Sequence, residues 1–212
     1  MSNPHVHDNQ PVLLAGAALD DADVAVILLH GRGSSAQSIL SLVDHLPQDR
    51  VAYLAPQAAN HTWYPNSGFI ALEANEPYVS SAFQMLADLV TGITDAGIPT
   101  NRIVLGGFSQ GACLAAEFVA RHPRRYGGLF VLSGALLGPP DLARQYTGTL
   151  DGTPVFIGGA GRDAWVTEQQ LHLTGRELHQ LGAEVRVEVQ PGSEHTVRQT
   201  EIAYVNTMIA AA

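Results

Sequence analysis

The stretch Arg102-Ile103-Val104-Leu105-Gly106-Gly107-Phe108-Ser109-Gln110-Gly111-Ala112-Cys113-Leu114-Ala115-Ala116-Glu117-Phe118-Val119-Ala120 decides the fold. Its first part is a short apolar run ending in glycines, and its last part is a small-residue run with helical character. A tight turn lies between them with Ser109 at its apex. A hydroxyl held there is pushed out of the fold at a helix N-terminus. The flanking Gly107 and Gly111 are required because neighbouring backbones come too close for side chains.

Outward from this unit, apolar β-rich runs alternate with helical patterns. Val24 to Leu29 reads as a buried strand, Ser35 to Leu46 as a helix capped by Ser34 or Ser35, and Val51 to Leu54 as a second strand ending at Pro56. A loop rich in Asn, Pro and Gly follows from Gln57 to about Gly68. Pro77 to Ala96 reads as a long amphipathic helix, Ile103 to Leu105 as the strand before the turn, and Ala112 to Arg121 as the helix after it. Then come a strand at Gly128 to Leu132, a strand at Pro154 to Ile157 and a helix at Glu168 to Leu181. An alternating, edge-like strand at Val185 to Val189 and a closing helix at Thr196 to Ala210 complete the series. Val12 to Ala15 is an additional strand near the start. Continuous apolar strands joined by helical crossovers predict an α/β fold, a mostly parallel sheet with helices on both faces. With no repeat, composition break or long insertion, residues 1–212 read as one domain without a large lid, and residues 1–10 as a flexible tail.

Sites in such sheets form beyond the carboxyl ends of the strands. A serine hydroxyl needs a base to become a nucleophile, and the base needs an orienting carboxylate. Asp163 follows the strand that begins at Pro154, and His195 follows the strand at Val185 to Val189, so both share one sheet end with Ser109. Asp141 and Asp151 precede their strand, and Glu194 beside the histidine points elsewhere. Ser109, Asp163 and His195 are therefore the expected catalytic triad. The turn Leu29-His30-Gly31-Arg32-Gly33 offers free backbone N–H groups, and the N–H of Gln110 starts the helix after the serine. Arg32 and Gln110 are the expected oxyanion donors, with Gly33 next in line. His30 is expected to brace its loop by hydrogen bonding. The aromatic residues Trp63 and Tyr64, and Trp165 just past Asp163, are candidates for a substrate pocket.

A formal net charge of −9, from 20 acidic against 11 Lys and Arg side chains, argues against nucleic acid or an anionic membrane as partner. The single cysteine, Cys113, excludes an intrachain disulfide and a cysteine-based zinc pattern, and is expected to be a small buried core residue. The segment Met1 to Asp8 has neither the basic nor the apolar part of a signal peptide, and the apolar runs are strand-length. The expectation is a cytoplasmic protein with no stable membrane insertion, acting on a small molecule, with a homodimer left open. No cofactor and no metal are expected. His5 and His7 are placed on a frayed terminus, and His172 and His179 lie two helical turns apart, too far to share one ion.

Leu29-His30-Gly31, Ala55-Pro56 followed by Trp63-Tyr64, and Gly106-Gly107-Phe108-Ser109-Gln110-Gly111-Ala112 together resemble the phospholipase/carboxylesterase family. So does Leu178-X-X-Leu181-Gly182-Ala183 leading to Gly192 and His195. These are small, lidless α/β-hydrolases that include the acyl-protein thioesterases, and the resemblance runs from about Val24 to the C-terminus. It implies the same triad, with the oxyanion hole at the N–H groups of Arg32 and Gln110. Three departures lie beside the site. Gly158-Gly159 stands where the family often has a histidine-glycine pair, Val166-Thr167 where it often has valine-proline, and Trp165 where the residue is usually small. They bear on substrate choice more than on catalysis. The expected function is a serine carboxylesterase acting on short- to medium-chain carboxylic esters through an acyl-enzyme on Ser109. The alternatives are an acyl thioesterase or lysophospholipase, a lactone hydrolase, and, in a different class, a catalytically silent binding protein.

Overall fold

The structure is a computed structural model that describes residues 5–212. Seven strands form one sheet: β1 (Val12–Gly16), β2 (Val24–Leu29), β3 (Val51–Pro56), β4 (Ile103–Phe108), β5 (Gly128–Leu132), β6 (Pro154–Ala160) and β7 (Glu184–Gln190). Their spatial order is β1-β3-β2-β4-β5-β6-β7. Only β1 is antiparallel, paired with β3, and all other neighbours run parallel. The helices are α1 (Ala36–Leu40), α2 (Tyr78–Asp95), α3 (Gln110–Arg121), α4 (Glu168–Gln180) and α5 (Gln199–Ala211).

The apolar runs β2 and β3 are buried at every residue because both faces of the sheet are covered. Alternate residues of β2 split between two cores. Ala25, Ile27 and Leu29 pack with residues of α2, α3 and α4, whereas Val24, Val26 and Leu28 pack with α1 and α5. The edge strand β7 keeps the alternating pattern that its sequence predicts over Glu184 to Val187, and its remaining residues are all half-buried.

Several boundaries differ from the sequence reading. The predicted helix over Ser35 to Leu46 is a single α-turn capped by the Ser35 hydroxyl, continued as a 3-10 turn over Ser41–His45. The Ser41 hydroxyl donates to the Ser38 carbonyl and helps tighten the chain there. The closing helix starts at Gln199 rather than Thr196, because Arg198 takes the cap position and its N–H bonds the Glu201 carboxylate at 2.8 Å. The tail expected over residues 1–10 is anchored at His7; residues 1–4 of it lie outside the described residues. His7 is only 2% exposed. Its N–H donates to the Ser81 hydroxyl at 2.9 Å, its Nδ1 accepts from the Ala59 N–H, and its Nε2 meets the Trp63 carbonyl. That pattern makes it a neutral imidazole, and burial holds its pKa below the ordinary 6.5. Nothing in the composition of the segment signals this, because one buried ring produces no periodicity.

Candidate active site

The turn after β4 is as sharp as its glycines imply. Ser109 sits at φ 55°, in a region that side chains rarely adopt, and its N–H donates to the Leu132 carbonyl at the end of β5. A Cβ on Gly107 or Gly111 would overlap the Leu29 carbonyl oxygen, so both positions need glycine for close approach to β2. The helix begins immediately at Gln110, two residues earlier than predicted, because the turn feeds straight into it.

Ser109, Asp163 and His195 come together. His195 Nε2 lies 2.7 Å from Ser109 Oγ, and His195 Nδ1 lies 2.6 Å from Asp163 Oδ2. The other Asp163 oxygen accepts the N–H groups of Trp165 and Val166 at 2.7 and 3.2 Å. Asp163 is thus a buried carboxylate whose acceptors are filled by donors. With Nδ1–H directed at that carboxylate, Nε2 is left with its lone pair toward the serine hydroxyl, the geometry of a general base. The Phe108 ring packs against the imidazole at a centroid separation of 4.9 Å.

The turn after β2 lies against the serine: a Cβ on Gly31 would come within 3.5 Å of the Ser109 Cβ. Among the described residues the backbone N–H of Arg32 has no acceptor, whereas Gly33 spends its N–H on the His61 carbonyl at 2.7 Å. That distinguishes Arg32 from the reserve donor Gly33. The turn is cross-braced. His30 is fully buried, with Nδ1 at 2.8 Å from the Gly31 carbonyl and Nε2 accepting the Ala58 N–H at 3.1 Å. Burial keeps its pKa below 6.5, so it is a neutral brace, as expected. The Arg32 guanidinium donates to the carbonyls of Pro65 and Asn66, away from any role as an anion-binding group in the site.

The pocket expectation needs correction. Trp63 is 0% and Tyr64 2% exposed; both fill the core under the site instead of lining a surface. The Trp63 indole N–H donates to the His30 carbonyl at 2.8 Å, so its polar handle is satisfied inside the protein. Only Trp165, 73% exposed beside Asp163, stays at the rim. Two cavities of about 510 and 260 Å³ among the described residues lie along β1, β3 and α2, and no triad residue lines either of them. Cys113 is buried, its Sγ accepts the Ala135 N–H, and burial pushes its thiol to about 11, which fits an inert core residue.

One contributor escaped the sequence reading. The Gln110 side chain, 5% exposed, accepts from the Trp63 N–H at 2.9 Å and donates to the Tyr64 carbonyl at 2.8 Å. It ties the loop after β3 to the residue after Ser109. The available signal was a polar side chain inside an otherwise apolar helix start.

The profile of the phospholipase/carboxylesterase family matches residues 16–212. The chain belongs to the phospholipase/carboxylesterase family. Among solved structures, a phospholipase/carboxylesterase from Dyadobacter fermentans is 36% identical with a TM-score of 0.92, covering 99% of this chain and all of that one. Acyl-protein thioesterase 1 of Saccharomyces cerevisiae is 26% identical over 90% of this chain and 93% of its own length. A Bacillus cereus carboxylesterase shares the fold at a TM-score of 0.76 and 16% identity, over 97% of this chain and 96% of that one. Membership in the phospholipase/carboxylesterase family makes the protein a hydrolase with an α/β-hydrolase fold. Among the described residues no helix is long and apolar enough to cross a membrane.

Proposed function

We propose that the protein is a serine carboxylesterase that hydrolyses short- to medium-chain carboxylic esters. The observation that carries this reading is the unbroken chain from Ser109 Oγ to His195 Nε2 at 2.7 Å and from His195 Nδ1 to Asp163 at 2.6 Å. Ser109 Oγ attacks the ester carbonyl carbon while His195 Nε2 takes the hydroxyl proton. The carbonyl oxygen becomes an oxyanion that accepts the N–H groups of Arg32 and Gln110. Asp163 keeps the imidazole in the right tautomer and stabilises it once protonated. The C–O bond to the alcohol then breaks, the departing oxygen takes the proton from His195, and the acyl group remains on Ser109. Water attacks this ester, gives its proton to His195, and the acid leaves as the proton returns to Ser109. Large apolar side chains such as Trp63 and Tyr64 occupy the core below the site, which favours acyl groups that need no deep tunnel.

A thioester substrate is the second reading, favoured by the match to acyl-protein thioesterase 1 over most of both chains. The same atoms would act, with a thiolate as the leaving group. Hydrolysis of p-nitrophenyl esters from acetate to palmitate, alongside an acyl-thioester series, tests the choice. The ester reading predicts kcat/KM highest at short and medium acyl esters. A preference for long acyl chains presented as thioesters would replace it with the second.

A further inference from the structure

The segment that carries His195 is held weakly by its own main chain. Among the described residues, Ser193 to Val197 make no backbone–backbone hydrogen bond, and Gly192 is the last residue before them to do so. One side chain reaches into this gap. Arg198, at the cap of α5, donates from Nη2 to the Glu194 carbonyl at 3.0 Å, the residue immediately before His195. Its other terminal nitrogen, Nη1, lies 3.7 Å from Glu201 Oε1, beyond hydrogen-bond reach, and among the described residues both atoms are buried without a hydrogen-bond partner.

Glu201 is fully buried, an unusual place for a carboxylate. It accepts the Arg198 N–H through Oε2, and its Oε1 lies beside Gly158 of β6. A Cβ at position 158 would overlap that oxygen. A carboxyl group and a guanidinium brought together without a hydrogen bond between their facing atoms are a poor source of stability, because desolvation offsets their attraction.

We propose that Gly158, Glu201 and Arg198 form a positioning device for His195. Glu201 is seated against the gap left by Gly158. It holds the Arg198 main chain at the start of α5 through the bond from the Arg198 N–H to Oε2, and the guanidinium carried there fixes the main chain at Glu194 so that the imidazole stays aligned between Ser109 and Asp163. Arg198 and Glu201 touch no reacting atom and act through His195. The inference rests on the reading of His195 as the base.

Arg198→Ala and Arg198→Lys test it, since Arg198 is partly exposed and less critical to folding than Glu201. Three quantities are compared with wild type: kcat and KM for p-nitrophenyl acetate, circular dichroism on melting, and the far-downfield proton resonance of the His195 Nδ1–H. The alanine variant is expected to stay folded, to keep KM within about twofold, and to lose kcat by about 10- to 100-fold, the scale of a small misplacement of a catalytic group. The downfield resonance broadens or disappears, and lysine, which keeps one donor to the Glu194 carbonyl, recovers part of both signals. An unchanged kcat with an unchanged resonance overturns the proposal. So does a loss that only tracks the unfolded fraction, or a lysine variant no better than alanine. The resonance needs no substrate. If the wild-type protein hydrolyses none of the esters, the functional reading fails, while the resonance still reports whether Arg198 aligns His195.

Discussion

Ser109 keeps a backbone conformation, φ 55° and ψ −119°, that costs a side-chain-bearing residue strain, and the fold sustains it by the bond from its N–H to Leu132. The same turn directs Oγ at His195, so strain and reactivity come from one geometry. Asp163 shows the division of labour within one side chain: Oδ1 is fixed by two backbone donors, which frees Oδ2 to orient the imidazole. Asp163→Asn keeps the shape but offers an amide that favours the wrong tautomer of His195. It is expected to lower kcat by about 10⁴-fold with the melting temperature little changed, checked by steady-state kinetics beside a thermal melt. Trp165 behaves differently. Because its indole is largely in solvent, Trp165→Ala should change stability by less than about 0.5 kcal/mol in urea unfolding.

At the scale of elements, β4, its turn and α3 act as one piece wedged against β2. Gly111→Ala would drive a methyl group into the Leu29 and His30 carbonyls, and is expected to cost at least about 3 kcal/mol of unfolding free energy, or to prevent folding. Gly33 has a positive φ of 72° with open space around it, so Gly33→Ala should cost only about 1 kcal/mol by the same denaturant titration. The elbow was legible in the sequence because glycine, serine and glycine mark one constrained turn between two periodic runs. Asp163 and His195 were legible because each follows a strand at the same sheet end. The roles of Trp63 and Tyr64 were not, since an aromatic loop residue reads alike whether its ring turns inward or outward. The Arg198–Glu201 pair was hidden for a similar reason: a charged pair at a helix start reads as a capped, solvated end, and only the third dimension puts Glu201 against Gly158.

For the whole molecule, two neutral histidines, His7 and His30, tie the N-terminal segment and the loop after β2 to the body of the fold. Both have folded-state pKa values lowered from 6.5 by burial. The unfolded chain takes up these protons as pH falls through 6.5, before the folded protein does, so this stability is present above 6.5 and declines as pH falls below it. Glu201 has the opposite sign. Burial raises its carboxyl above 4.5, so its contribution is complete below 4.5 and is lost as pH rises through its folded pKa. The histidines are expected to dominate between pH about 7.5 and about 5.5, with the melting temperature falling on acidification in scanning calorimetry. A melting temperature that rises over that range would assign the larger effect to Glu201. The catalytic account itself stands on the acylation of one oxygen. Intact-protein mass spectrometry of the enzyme acid-quenched during turnover of p-nitrophenyl butyrate, followed by peptide mapping, tests it most directly. The account predicts a butyryl adduct on Ser109, absent from Ser109→Ala together with hydrolysis. Hydrolysis that persists at the wild-type rate in Ser109→Ala would contradict it.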